Sequence, residues 1–323
     1  MVDKELNKQA LSIIMDIRTA EKSGDRIPLY QMTHIEARNA YLAMRESLSP
    51  PPPKVYQVKN FVINKNNAEI PVRYYRGAQH KKGHILPITV FFHGGGWVIG
   101  DLDTHDVVCR QLANLGNFDV ISIDYRMGPE NPFPAAVDDA LSSIEWVKSN
   151  ELGLPINNSK IAVCGDSAGG NLAAVCCINS KINFGPSIIY QVLIYPATHM
   201  GSNYPSKSKY DGYILSKKLM QWFQEKYIQK KNNNSIYNDW RVSPICSDQL
   251  SDLPPSLVIV AGCDPLKDEG LAYAEKLKKF GNDSEIISFE GQIHGFLTMG
   301  ARINDTEKLI NIVAKKINKA LES

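Results

Sequence analysis

The 323-residue sequence has no appreciable excess of either charge, no apolar run long enough to span a bilayer, and no paired-cysteine motif. Lys and Arg number 36 and Asp and Glu 34, a net of +2, whereas nucleic-acid and anionic-membrane surfaces need a clustered basic excess. Neither partner is expected. The longest apolar runs, such as Leu172 to Ile178, fall far short of the roughly 20 residues that a spanning helix needs. Met1 to Lys22 carries charges throughout and has no continuous apolar stretch before a small-residue cleavage site, so it does not read as a signal peptide. The six cysteines, at positions 109, 164, 176, 177, 246 and 263, show no C-x-x-C spacing, and several sit inside apolar strand or helix patterns. They read as reduced, small hydrophobic residues of a cytoplasmic protein, which argues against disulfides and structural zinc.

What is present describes an ordinary globular chain, 43% hydrophobic and 22% charged, long enough to bury a substantial core. Leu6, Ala10, Ile13, Ile14 and Ile17 recur at helical spacing. A second helix follows the capping-box pattern Thr33-His34-Ile35-Glu36, with Ala37, Ala40, Tyr41 and Met44 along one face. The Pro50-Pro51-Pro52-Pro53 run ends it as a stiff spacer, so residues 1–54 read as an appendage. From Val55 the pattern changes. Val55 to Ile63 and Ile70 to Tyr75 read as extended, and an alternation follows. Strands are expected at Ile88 to Phe92, Asp119 to Asp124, Lys160 to Cys164, Ser187 to Tyr195, Ser256 to Ala261 and Ser284 to Phe289. Helices are expected around His105 to Leu115, Pro134 to Lys148, Ala168 to Asn179, Asp268 to Phe280 and Asp305 to Leu321. Short apolar strands alternating with helices imply an α/β fold, a mostly parallel sheet covered on both faces.

The core thus spans 55–198 and 254–323, interrupted by 199–253. That insertion is rich in Ser, Asn, Lys and Tyr. It holds an amphipathic helix around Leu215 to Ile228 and the Asn232-Asn233-Asn234 loop. A connection of this length inside an α/β sheet is usually functional. With the N-terminal helices it is expected to form a cap over one end of the sheet.

The sharpest chemical signal is Gly165-Asp166-Ser167-Ala168-Gly169. This G-x-S-x-G pattern follows the strand Ile161-Ala162-Val163-Cys164 and precedes an apolar helix. Its glycines permit a tight turn that lifts the serine hydroxyl clear of the sheet, and the helix N-terminus points amides at any oxyanion forming beside it. A second signal, His93-Gly94-Gly95-Gly96-Trp97, comes directly after Val90-Phe91-Phe92. Consecutive glycines expose successive amides, as an oxyanion hole requires. A phosphate loop is excluded, because no Gly-Lys-Ser/Thr follows and the spacing breaks G-x-G-x-x-G. His93 precedes the glycines and reads as an anchor for the loop.

The chain order Ser, Asp, His then supplies the partners. Asp264 is the first polar residue past the strand Leu257 to Ala261, with helix capping as its bland alternative and Asp268 as the fallback acid. His294 follows the last strand. The histidines at 34, 80, 84, 105 and 199 read as surface or packing residues. Asp124, Tyr125, Arg126 and Glu130 read as a strand end whose charges pair with each other.

Together with Pro132-Phe133-Pro134-Ala135-Ala136, Asp264-Pro265-Leu266 and His294-Gly295-Phe296, these motifs resemble the hormone-sensitive-lipase family of α/β-hydrolases, over nearly the whole chain from Val55. The resemblance implies an eight-stranded core, a helical cap, no metal and no organic cofactor. It also implies that two amides among Gly94, Gly95 and Gly96 join that of Ala168 in an oxyanion hole. A serine esterase acting on small-molecule carboxylic esters of short to medium chain is expected. Ser167 would be nucleophile, His294 base and Asp264 the acid that orients it. An amidase or formamidase on the same site is the near alternative. A catalytically silent small-ligand receptor, as in the plant gibberellin receptors, is the distant one. Trp97, Tyr213, Trp222 and Phe223 are candidates for the pocket wall. Because Trp222 and Phe223 are adjacent on a helix, at most one of them should face the site. The oligomeric state is left open, a homodimer included.

Overall fold

Burial explains the strand pattern. In the computed structural model, which describes residues 5–65, 67–229 and 234–322, eight strands form one sheet: β1 (Gln57–Lys65), β2 (Ala68–Arg76), β3 (Leu86–Phe92), β4 (Asp119–Ile123), β5 (Ile156–Asp166), β6 (Tyr190–Ile194), β7 (Ser256–Cys263) and β8 (Ser284–Ile293). Their order across the sheet is β1-β2-β4-β3-β5-β6-β7-β8. The first two strands pair antiparallel, and β2 meets β4 antiparallel. The remainder pair parallel, with registers such as Phe92 opposite Gly165 and Ile194 opposite Ile259. Every residue of β4, β6 and β7 is buried, because helices cover both faces and leave no polar side to alternate with.

The described helices are α1 (Lys8–Ser23), α2 (His34–Leu48), α3 (Asp106–Leu115), α4 (Ala135–Ser149), α5 (Ala168–Ile182), α6 (Pro205–Lys209), α7 (Lys217–Ile228), α8 (Lys267–Lys279) and α9 (Asp305–Glu322). Apolar residues of α4, α5 and α8 pack with one face of the sheet, and those of α1, α3 and α9 with the other. The expected capping box is present at α2, where Thr33 accepts from the Glu36 N–H and Glu36 accepts from the Thr33 N–H. The short helix α6 inside the insertion was not anticipated. Asn232 and Asn233 of the predicted loop lie outside the described residues.

The charges after β4 do not pair among themselves. Arg126 forks onto Asp139 of α4 at 2.7 and 2.9 Å. Glu130 is held by Arg38 of α2 at 2.7 and 2.8 Å and by His34 at 3.0 Å. The partners arrive from a neighbouring helix and from the N-terminal appendage, which a local reading of charge cannot see. The appendage is also tied to the sheet through the Asn7 N–H, which donates to Gly291 O at 2.9 Å.

Candidate active site

Parallel pairing puts the carboxyl ends of β3, β5, β7 and β8 on one edge, the place where open α/β sheets bind ligands. Ser167 follows β5, Asp264 follows β7 and His294 follows β8. Ser167 Oγ lies 2.9 Å from His294 Nε2, and His294 Nδ1 lies 2.7 Å from Asp264 Oδ2. Asp264 is fully buried, and its other oxygen accepts the Leu266 N–H at 2.8 Å. The three predicted side chains thus form one hydrogen-bonded chain. The fallback acid does not join it. Asp268 lies in the first turn of α8 and accepts the Ser206 N–H at 2.8 Å.

The tight turn expected at Ser167 is present. The positive φ falls on the serine itself, at φ 56° and ψ −115°, a conformation disfavoured by any Cβ. The glycines supply the space. A Cβ on Gly169 would stand 1.9 Å from Phe92 O, and one on Gly165 would stand 2.3 Å from Gly169 O.

The glycine loop after β3 is held from below by Asp166. Its Oδ1 accepts the Gly94 N–H at 2.8 Å and faces His105 Nε2 at 3.1 Å. The Tyr195 hydroxyl donates to its Oδ2 at 3.4 Å. Burial works to raise the Asp166 pKa, but His105, His294 and the Gly94 N–H outweigh it and hold the carboxyl below its usual range. Gly94 is therefore the glycine whose amide is committed elsewhere. Among the described residues, no group accepts from the Gly95 or Gly96 amide. His93 is the buried anchor expected. Its ring stacks on Tyr125 at 4.3 Å, and its carbonyl accepts the Tyr125 hydroxyl at 2.7 Å. Burial, with His105 alongside, pushes its pKa down to about 4.

A cavity of about 380 Å³ opens over Ser167 and His294. Of the four predicted wall residues, Trp97, Tyr213 and Phe223 line it, and Trp222 does not. Helix geometry separates the adjacent pair. Phe223 faces Gly96, where a Cβ would fall 2.3 Å from the ring, while Trp222 packs edge-on against Phe223 at 5.4 Å. Trp97 stacks flat on Tyr227 at 4.6 Å. Sequence reasoning missed Asp166, whose place inside the pentapeptide was a usable signal, and His105, for which there was none. It also missed the wall residues Tyr41, Met44 and Arg45, which α2 supplies from the appendage. Among the described residues no group of three His, Cys, Asp or Glu side chains is placed to hold a metal. No described helix is long and apolar enough to cross a membrane.

Comparison with known proteins agrees with this fold. A family model for the alpha/beta hydrolase fold (Abhydrolase_3) matches residues 89–298. The chain is 38% identical over 283 residues to the carboxylic ester hydrolase LipN of Mycobacterium tuberculosis, covering 83% of this chain and 73% of that one. It is 29% identical to an ethyl acetate hydrolase of Pseudomonas putida, over 98% and 99% of the two chains. The crystal structure of LAE6, an alpha/beta hydrolase enzyme from the metagenome of Lake Arreo, superposes with a TM-score of 0.94 at 35% identity, covering 99% of this chain and all of that one. The chain belongs to the α/β-hydrolases, in their hormone-sensitive-lipase-like family.

Proposed function

We propose that this protein is a serine carboxylesterase with Ser167 as nucleophile, His294 as general base and Asp264 as the residue that orients and charges the imidazole. The observation that carries the assignment is the continuous Ser167–His294–Asp264 hydrogen-bond chain at the floor of a cavity. The names of its relatives, esterases among them, support the reaction class. His294 takes the Ser167 proton as the oxygen attacks the ester carbonyl, and Asp264 stabilises the imidazolium. The amides of Gly95, Gly96 and Ala168 receive the oxyanion, each donor being worth about 3 kcal/mol where one has been removed from another enzyme. The alcohol leaves on a proton from His294, and water repeats the sequence on the acyl-enzyme.

Residues of 1–54 and of 199–253 both line the cavity, and they act as its cap. A covered pocket of this size suits short and medium acyl chains, each buried CH₂ adding about 0.8 kcal/mol only while there is room for it. Five of the six cysteines are buried free thiols, which supports a cytoplasmic location. The test is a series of 4-nitrophenyl esters with a matched anilide. kcat/KM is expected to climb from acetyl to butyryl or hexanoyl and then fall, with the anilide far slower. Faster cleavage of the anilide would make the protein an amidase, and a rise continuing to long chains with activation at an oil–water interface would make it a lipase.

A further inference from the structure

Arg45 carries a charge that nothing in the cavity wall balances. It sits in the last turn of α2, 3% exposed, and lines the cavity. Its Nη1 donates to Thr298 Oγ1 and, at 3.3 Å, to Gly295 O, and its guanidinium lies 4.6 Å over the Tyr41 ring. Its Nε is buried with no hydrogen-bond partner, and among the described residues no carboxylate pairs with it. Buried charges are normally paired, because desolvation otherwise penalises them heavily. A second guanidinium, Arg26, reaches the same cavity. Its Nε is also buried without a hydrogen-bond partner, with Glu21 only at 3.9 Å. Of the four acids that line the wall, Glu21 stands 3.9 Å from Arg26 Nε and the other three are engaged. Asp166 holds Gly94 and faces His105, Glu269 faces Lys207 at 2.8 Å, and Asp211 accepts the Lys217 N–H at 2.7 Å. Each guanidinium donates only to neutral acceptors, Thr298 and the Gly295 carbonyl for Arg45 and Met44 Sδ for Arg26, and each keeps a buried Nε with none.

We infer that Arg45 and Arg26 form a carboxylate-binding subsite, and that the preferred substrates are esters bearing a free carboxylate a few carbons from the scissile bond. The inference rests on the esterase reading and deepens it. A guanidinium presents a planar fork that matches a carboxylate. Gly295, whose carbonyl Arg45 holds, directly follows His294, so the fork stands beside the base and the spacer must be short. Half-esters of short dicarboxylic acids and acyl esters of short hydroxy acids both meet this description.

Matched pairs test it and separate the two sources. 4-Nitrophenyl hemiglutarate is compared with 4-nitrophenyl 5-methylhexanoate, and 3-acetoxypropanoate with isopentyl acetate, each pair differing in a carboxylate against an isopropyl group. In the native enzyme, kcat/KM for at least one anionic ester is expected to equal or exceed that of its neutral partner. Arg45→Met should lower the anionic-to-neutral ratio by about 30-fold or more and Arg26→Gln by about 5-fold, with Arg45→Lys retaining part of it. Because Arg45 also braces the loop after His294, the ratio and not the absolute rate is read. Calorimetry with glutarate on Ser167→Ala protein provides a readout without turnover, and adding Arg26→Gln should weaken binding several-fold. Ratios unmoved within threefold in every variant, with neutral esters still cleaved, would refute the subsite and leave the esterase standing. Glutarate binding by a native protein that cleaves no ester would do the reverse.

Discussion

Replacing Ser167 by glycine is expected to leave a more stable protein than replacing it by alanine, the reverse of the usual order. The residue is held at φ 56° and ψ −115°, and a residue with a Cβ in such a region carries about 1–3 kcal/mol of strain. Both substitutions remove the same hydroxyl and the same 2.9 Å contact with His294, so those losses cancel in the comparison. The serine side chain makes no capping bond to α5, so a lost cap does not enter either. Alanine keeps the strain. Glycine releases it, at the cost of about 0.4–1 kcal/mol of extra freedom in the unfolded chain. The net advantage of glycine is about 0.5–2 kcal/mol, equivalent to roughly 1–6 °C in Tm for a chain of this size. Urea denaturation and calorimetry of the two purified variants read it directly, both being inactive. An alanine variant as stable as the glycine variant, or more so, would refute the view that this turn stores backbone strain at the nucleophile.

Ser167→Ala and His294→Ala should each lower kcat by at least about 10⁴-fold and their combination scarcely further, because the three side chains act as one unit. Asp264→Asn should be severe and Asp268→Asn mild in the same steady-state assay; equal damage would move the acid to Asp268. Asp166→Asn should lower kcat by about 10- to 100-fold with KM little changed, since it loosens the Gly94 anchor of amides that act on the oxyanion. A kcat within twofold of native would show that the loop needs no such anchor. His93, with its pKa driven from 6.5 to about 4 by burial, refuses a proton that the unfolded chain accepts. Stability is therefore present above pH 6.5 and lost as pH falls towards 4, by up to about 3 kcal/mol. The urea midpoint at pH 7.5 and 5 measures the loss, and His93→Gln should flatten that part of the profile.

The core and the three central residues were legible in the sequence because each depends on a local pattern. Short apolar strands alternating with helices encode a buried parallel sheet, and parallel pairing brings the residue after each strand to one edge. What was not legible depends on contacts between distant segments. The Gly94 amide is withdrawn from the loop only because Asp166, more than 70 positions later, sits beneath it. Nothing local in the sequence marks Arg38 as the partner of Glu130, or Arg45 as a wall residue beside His294. The choice of Phe223 over Trp222 follows from the angular setting of α7, which adjacency in sequence leaves undetermined. The glycines of the pentapeptide permit the tight turn by leaving room at 165 and 169, where neighbouring backbone admits no Cβ, while the positive φ at Ser167 is not marked by its residue type.

The link from Arg45 to Gly295 spans 250 positions, and it gives assembly of the site an order in time. At about 5–20 residues per second of synthesis, the N-terminal helices leave the ribosome roughly 10–50 s before the loop they brace exists. Throughout that interval the apolar face of α1, with Ala10, Ile13 and Ile14, lacks the last strand and α9, which complete its cluster. The nascent chain must keep it from other partners for that long, and the cavity closes only when its last strand has been made.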